Sequence, residues 1–322
     1  MARQCGEDRA RLARVLAGLR RYQAAPVAAP RTRPPALAQI GNVTLRDHGG
    51  SGRPVVVVPS LINPASVLDL APGNSLLAAL AAAGLRPLLV DWGETEPLGL
   101  EDLVAERLLP LITGLGEPVA ITGYCLGGTF AIAAAALAGP AVSRLALLAT
   151  PWHFRGYGTR DRLAEWWAQA RPMAESLGVL PIDLLQPAFW SLDEAGVVAK
   201  YERLATASDA DVAAFAMLED WSNTGTPLSL AAARGLAETL FANDAPGGGR
   251  WMVGGEAIDV ARLRLPILDV VARRDHIVPA AVALSAHGPG EPMVLDAGHV
   301  GMIVGSRAPD LLWQPLAAWL GQ

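Results

Sequence analysis

One stretch of seventeen residues constrains this chain more than any other: Val119 to Ala135, VAITGYCLGGTFAIAAA. An apolar strand runs into Gly123-Tyr124-Cys125-Leu126-Gly127-Gly128 and leaves as a helix of small residues. Strand, sharp turn and helix with a reactive side chain at the apex make a nucleophile elbow, here with cysteine in the place usual for serine. The apex residue has to take a strained backbone conformation. Glycines two residues before and two after it, Gly123 and Gly127, let neighbouring segments close in without Cβ collisions. Cys125 then stands at a helix amino terminus, where free N–H groups and the dipole favour a thiolate, and Leu126 N–H is placed to meet an oxyanion. A buried cysteine in a glycine-rich turn is the plainer reading, and the matching strand and helix on either side argue against it.

The rest of the chain says what kind of sheet carries this elbow. Short apolar runs alternate with helical patterns from Asn42 onward: strands at Val55–Val58, Leu88–Val90, Val119–Thr122 and Leu145–Ala149, and helices at Leu76–Ala83, Glu101–Ile112 and Thr129–Leu137. Such alternation predicts parallel strands joined by crossover helices, a mainly parallel, doubly wound α/β core. Between Trp152 and Arg262 it gives way to helical patterning with interspersed aromatics (Trp166, Trp167, Phe189, Trp190, Phe215, Trp221), and the strand pattern returns at Pro266–Ala272 and Pro292–Leu295. The expected organisation is therefore residues 1–41 as an amino-terminal helix and proline-rich strap, 42–152 with 263–322 as the core, and 153–262 as an inserted helical cap. Large aromatics dominate burial, so the cap tryptophans read as its core before a ligand cage. Glu7 to Tyr22 has the spacing of an amphipathic helix, whereas Ala24–Ala38, with Pro26, Pro30, Pro34 and Pro35, is expected to hold no regular structure. The helix arginines read as a solvated face.

A cysteine nucleophile on such an elbow needs an imidazole and an orienting carboxylate, in the chain order nucleophile, acid, histidine. Of the five histidines, His299 lies just past the last expected strand, in Asp296-Ala297-Gly298-His299-Val300-Gly301, where a loop-borne base belongs. Asp275 follows the strand Ile267–Ala272 by a short turn, 24 residues before His299. Asp269 falls mid-strand and Asp296 too near His299 to be natural partners, and the competing reading of Asp275 is a surface aspartate paired with Arg273 or Arg274. A second oxyanion donor is expected from the loop after Val58, Pro59-Ser60-Leu61-Ile62-Asn63-Pro64, with Leu61 N–H first and Ile62 N–H next. The histidines are scattered and there is no cysteine pair, so no metal site is expected.

Composition removes other classes. A net charge of -5 argues against a nucleic-acid groove, which needs clustered Lys and Arg. The apolar stretches are too short or too broken by Gly84, Arg86 and Pro87 for a membrane span of about 18 residues. Two distant cysteines, Cys5 and Cys125, and an amino terminus without an apolar signal core point to a reducing, cytoplasmic setting.

With these motifs assembled, the sequence resembles the poly(3-hydroxyalkanoate) synthases, in particular their short, partner-dependent forms, and through them the α/β-hydrolase superfamily. The resemblance rests on Gly123-Tyr124-Cys125-Leu126-Gly127-Gly128, Val58-Pro59-Ser60-Leu61-Ile62-Asn63 with Leu68-Asp69-Leu70, Leu89-Val90-Asp91-Trp92-Gly93, Leu148-Ala149-Thr150-Pro151, Asp275-His276-Ile277-Val278-Pro279 and Gly298-His299-Val300-Gly301. It implies an α/β-hydrolase fold with an inserted helical cap, and Cys125 as nucleophile, Asp275 as orienting acid and His299 as base. It further implies acyl transfer from 3-hydroxyacyl-CoA thioesters toward polyester, with coenzyme A present only as part of the substrate and no cofactor. A second synthase subunit or a second copy of the chain, and the surface of a polyester granule, are the implied partners. The cap matches loosely and the long amino-terminal domain of self-sufficient synthases has no counterpart. Hydrolysis by a cysteine thioesterase or polyester esterase therefore stands as the alternative, and a catalytically idle granule-binding homologue as a third reading.

Overall fold

The computed structural model describes residues 5, 8–27, 31–190 and 193–322. In chain order its chief elements are α1 (Arg9–Gln23), β1 (Ala36–Ile40), β2 (Val43–Asp47), β3 (Pro54–Val58), α2 (Leu76–Ala82), β4 (Arg86–Asp91), β5 (Val119–Tyr124), α3 (Leu126–Ala138), β6 (Val142–Leu148), α4 (Arg160–Leu177), α5 (Ile182–Trp190), α6 (Glu194–Leu204), α7 (Asp209–Ser222), β7 (Ile267–Ala272), β8 (Glu291–Leu295) and α8 (Gln314–Leu320). The chain divides into two compact units, Pro34–Ile182 with Thr226–Gln322, and Met1–Arg33 with Asp183–Gly225.

The larger unit is built on an eight-stranded sheet of order β1-β2-β4-β3-β5-β6-β7-β8, parallel from β4 through β8. Its middle strands show why. Pro54–Val58, Val119–Tyr124 and Ile267–Ala272 are buried at every position, so both faces are covered and no polar alternation is needed. The fold is that of the α/β hydrolases. After β3 the chain adds β4 on one side and then returns to add β5 on the other, so the winding reverses between β3 and β5. Ligands of open α/β sheets bind outside the carboxyl ends of the strands at such a switch point.

Two differences from the expected organisation have clear causes. Ala36–Ile40 is a strand, although Ala24–Ala38 reads as structureless. Its antiparallel partner Val43–Asp47 follows a turn at Gly41 (φ 58°), and as an edge strand β1 tolerates the prolines just before it. The stretch expected as a single cap is also shared between the units. Residues 153–182 and 226–262 belong with the sheet, where Trp167 is buried and donates its indole N–H to Glu238 at 2.9 Å.

The central part, Asp183–Gly225, belongs with α1 in the smaller unit. Cys5, Val15, Val198 and Tyr201 form its core, flanked by Leu12, Leu19, Tyr22, Val197 and Phe215. Gly18 lies so near Tyr201 O that any Cβ would collide with it, which lets α1 and α6 pack closely. The arginine face of α1 is paired rather than solvated: Arg11 and Arg14 both reach Glu202, at 3.0 and 2.7 Å. Glu219, nearly buried, binds Lys200 Nζ at 2.6 Å and accepts from Tyr201 OH at 2.7 Å. Trp190 is partly exposed, Phe215 joins the core cluster, and the Phe189 side chain lies outside the described residues. No helix among the described residues is long and apolar enough to cross a membrane.

Candidate active site

Cys125 sits between β5 and α3 with φ 54° and ψ -130°, a conformation that costs a residue with a Cβ about 1–3 kcal/mol. The surrounding contacts impose it. Cys125 N donates to Leu148 O of the neighbouring β6 at 2.9 Å, and its own carbonyl accepts from Gly128 N at 2.9 Å. A Cβ on Gly123 would strike Gly128 Cα, and one on Gly127 would strike the carbonyls of Val58 and Pro59. Glycine at 127 is thus what lets α3 approach the end of β3. Cys125 is a free thiol, half-buried at the head of a thirteen-residue helix.

That approach brings the loop after β3 against the elbow. Pro59 O accepts from Trp92 Nε1 at 3.1 Å, and the Trp92 ring meets Phe130 of α3 edge-on at 5.6 Å. Ile62 N–H is engaged by Ser60 Oγ at 3.3 Å, which separates the two expected donors in this loop. Leu61 is half-buried at the turn, and Leu126 is the first residue of α3, where backbone N–H groups have no intrahelical acceptor.

Asp275 and His299 come from the loops that follow β7 and β8. Asp275 is buried rather than paired on the surface. One carboxylate oxygen accepts from Ile277 N and Val278 N at 2.8 Å each, and the other holds His299 Nδ1 at 2.6 Å. Arg274, the competing partner, instead pairs with Asp296 at 3.2 Å. Backbone bonds from Arg273 N to Leu295 O (2.8 Å) and from Arg274 N to Ala297 O (2.9 Å) tie the two loops together. On its other side His299 hydrogen-bonds with the Cys125 side chain. Burial by itself would disfavour the imidazolium. The electrostatic influence of Cys125 and the bonds from Asp275 and Cys125 outweigh it and push the His299 pKa up to about 10.

The other histidines lie elsewhere. His276 is exposed, His48 faces Asp69 at 3.8 Å, and His153 packs edge-on against His287 at 5.2 Å while its Nε2 bonds Leu284 O at 3.2 Å. Burial lowers the His153 pKa, so it is neutral at pH 7. Asp269 is wholly buried in mid-strand and accepts from Ser285 N at 2.7 Å.

Three side chains to which the sequence assigned no role of their own complete the surroundings. Tyr124 stacks on the His299 ring (centroids 5.1 Å apart, planes at 29°) and donates its hydroxyl to His299 O at 3.4 Å. Trp92 fixes the loop after β3, as described. Tyr157 follows β6, with its ring against Phe154 and Phe241 at 5.9 and 4.9 Å. Burial, then the charges of Cys125 and Asp275, raise the pKa of both tyrosines well above the ordinary value, so both keep their protons. Tyr124 and Trp92 stood only within quoted motifs, and no signal marked Tyr157.

Comparison with known proteins agrees with the motifs. No protein-family model matches the sequence. The chain is 27% identical over 290 residues to the poly(3-hydroxyalkanoate) polymerase subunit PhaC of Haloferax mediterranei, covering 84% of this chain and 58% of that protein. It is 24% identical to the subunit of the same name from Haloarcula marismortui (88% of this chain, 64% of that protein) and 25% identical to that of Allochromatium vinosum (84% and 81%). The chain thus spans about three fifths of the two haloarchaeal relatives. Among solved structures, BpoC of Mycobacterium tuberculosis superposes with a TM-score of 0.58 at 19% identity, covering 88% of this chain and 98% of that one. An esterase of Thermogutta terrifontis superposes with a TM-score of 0.50 at 19% identity (91% and 98%). These neighbours bear on the fold.

Proposed function

We propose that this homologue of the polymerase subunits is an acyltransferase that loads a 3-hydroxyacyl group from its coenzyme A thioester onto Cys125 and passes it to the hydroxyl of another hydroxyacyl unit. The observation that carries the reading is the strained, half-buried thiol hydrogen-bonded to an imidazole that a buried carboxylate holds from the other side. In the first half-reaction the Cys125 thiolate attacks the thioester carbonyl. Leu126 and Leu61 N–H receive the oxyanion, and His299, already carrying a proton, gives it to the departing coenzyme A thiolate. The carbon–sulfur bond to Cys125 replaces the one to coenzyme A, so the exchange is close to isoenergetic. In the second, the now neutral His299 takes the proton of an incoming hydroxyl. The alkoxide attacks the acyl-enzyme, an ester forms, and the Cys125 thiolate leaves beside a recharged imidazolium. Asp275 keeps Nδ1 protonated, so that Nε2 faces the thiol.

The proposal includes a cytoplasmic setting, which the free thiol and substrates that begin as thioesters support. The relatives are named as subunits, and the reading includes a second synthase subunit, or a second copy of the chain, as partner. The test is to incubate the chain with 3-hydroxybutyryl-CoA, score mass added at Cys125, and separate the products. Oligomer or polymer supports transfer. Free acid as the sole product would make the chain a cysteine thioesterase, and no adduct on Cys125 would sink both readings.

A further inference from the structure

Resting on the acyl-transfer reading, we infer that the Tyr157 hydroxyl is the group that recognises the 3-hydroxyl of the acyl chain carried on Cys125. The route of the chain places it there. Leaving β6, the backbone is held against α3 where Thr129 Oγ1 donates to Pro151 O at 2.7 Å. It is held against the segment following Asp275 where Trp152 N and His153 N both donate to Val282 O, at 2.7 and 2.9 Å. Gly156 lies beside Ala281 of that segment. Tyr157 is the next residue, so it emerges between the elbow helix and the acid loop, close enough for the charges of both Cys125 and Asp275 to act on its phenol.

Its ring is fixed and its hydroxyl is not. Phe241 and Phe154 pack around the ring, Phe154 itself being held by its N–H on Asp244 at 2.8 Å. Among the described residues the Tyr157 hydroxyl has no hydrogen-bond partner, whereas the Tyr124 hydroxyl is spent on His299 O. Tyr157 is half-buried, and a hydroxyl without a partner in the protein is open to an acceptor that the substrate brings. Burial first, with Asp275 nearby, raises its pKa, so it keeps its proton and acts as a donor, not a base. The thioester carbonyl has its own donors in Leu126 and Leu61. The polar atom left over on a 3-hydroxyacyl group is the hydroxyl two carbons beyond that carbonyl, an oxygen that accepts what Tyr157 offers. A donor locked in place by its ring spends little entropy on binding, which is how a short acyl chain can be sorted by one oxygen atom.

The experiment compares acylation of Cys125 by 3-hydroxybutyryl-CoA and by butyryl-CoA, followed by intact-protein mass spectrometry in rapid-quench samples of the parent and of Tyr157→Phe. The variant keeps the ring and its packing and removes only the oxygen. In the parent the hydroxylated thioester acylates faster by about tenfold or more, and in Tyr157→Phe the ratio falls toward one. An unchanged ratio overturns the assignment. So does an equal slowing with both thioesters, which would place the hydroxyl on the thiolate or the carbonyl. If neither thioester acylates the parent, the acyl-transfer reading fails, and this one with it.

Discussion

Replacing Cys125 by alanine should change the titration of a residue that is not mutated. In the folded protein His299 is buried, which on its own would drive its proton off. It nonetheless holds the proton to about pH 10, because Cys125 and the Asp275 carboxylate act on the ring from opposite sides. Relative to an ordinary imidazole at about 6.5, that preference for the charged ring is on the order of 5 kcal/mol, more than any single neutral hydrogen bond supplies. Cys125→Ala removes the foremost of the favourable influences and a hydrogen bond, leaving burial opposed by Asp275 alone. A charge at this range moves a titration by about one to three pH units, so the His299 midpoint should fall by that much in the variant. The assay is a pH series of histidine-edited NMR spectra with nitrogen-labelled side chains, His299 being assigned from His299→Gln. The sign for stability follows from the direction. The folded state holds this proton more tightly than the unfolded chain, so the histidine's own contribution is complete below about pH 6.5 and is lost as pH rises through about 10. A parent midpoint near 6.5, or the same midpoint in parent and variant, would refute the ion-pair account.

Gly127→Ala should lower the melting temperature and slow acylation of Cys125 together, at about 1–3 kcal/mol, because its Cβ is driven into two backbone carbonyls that cannot yield separately. A thermal melt identical to the parent's would mean that the loop after β3 is free to move away. Cys125→Ser should fold normally and lose about two orders of magnitude or more in turnover, since a hydroxyl in the same place does not ionise against an imidazole as a thiol does. Near-parental turnover would make this an ordinary serine-type esterase site.

What could be read in advance follows the range of the forces involved. Val55–Val58 and Ile267–Ala272 carry their burial in their own composition, and the elbow carries its turn in glycines two residues either side of Cys125, so both were legible locally. His299 and Asp275 were legible by residue type and chain order, and they are in contact. The carboxylate's burial was not, because it depends on Arg274 turning away to Asp296. Nor could Ala36–Ile40 be seen: a strand on a sheet edge, directly after two prolines, takes its structure from its partner rather than from its own residues. Tyr157 belongs to the same class, an unmarked residue placed by hydrogen bonds to a segment more than a hundred positions away.

The histidine rides on an edge strand of the sheet. In the sheet β8 has one neighbour, β7, and four of its five residues are at least partly exposed, with Val294 54% accessible. Edge elements of this kind open before the body of a domain. The two backbone bonds from Arg273 and Arg274 oppose such opening, and their loss should carry His299 away while the thiol stays at its turn. Catalytic competence then has a shorter lifetime than the fold. In rising denaturant, activity should vanish at a lower concentration than the one at which Trp152 and Trp251, both fully buried, report the collapse of the core. A protein of this build goes silent before it comes apart, and on dilution from mild denaturant it should regain activity as fast as one strand can re-pair.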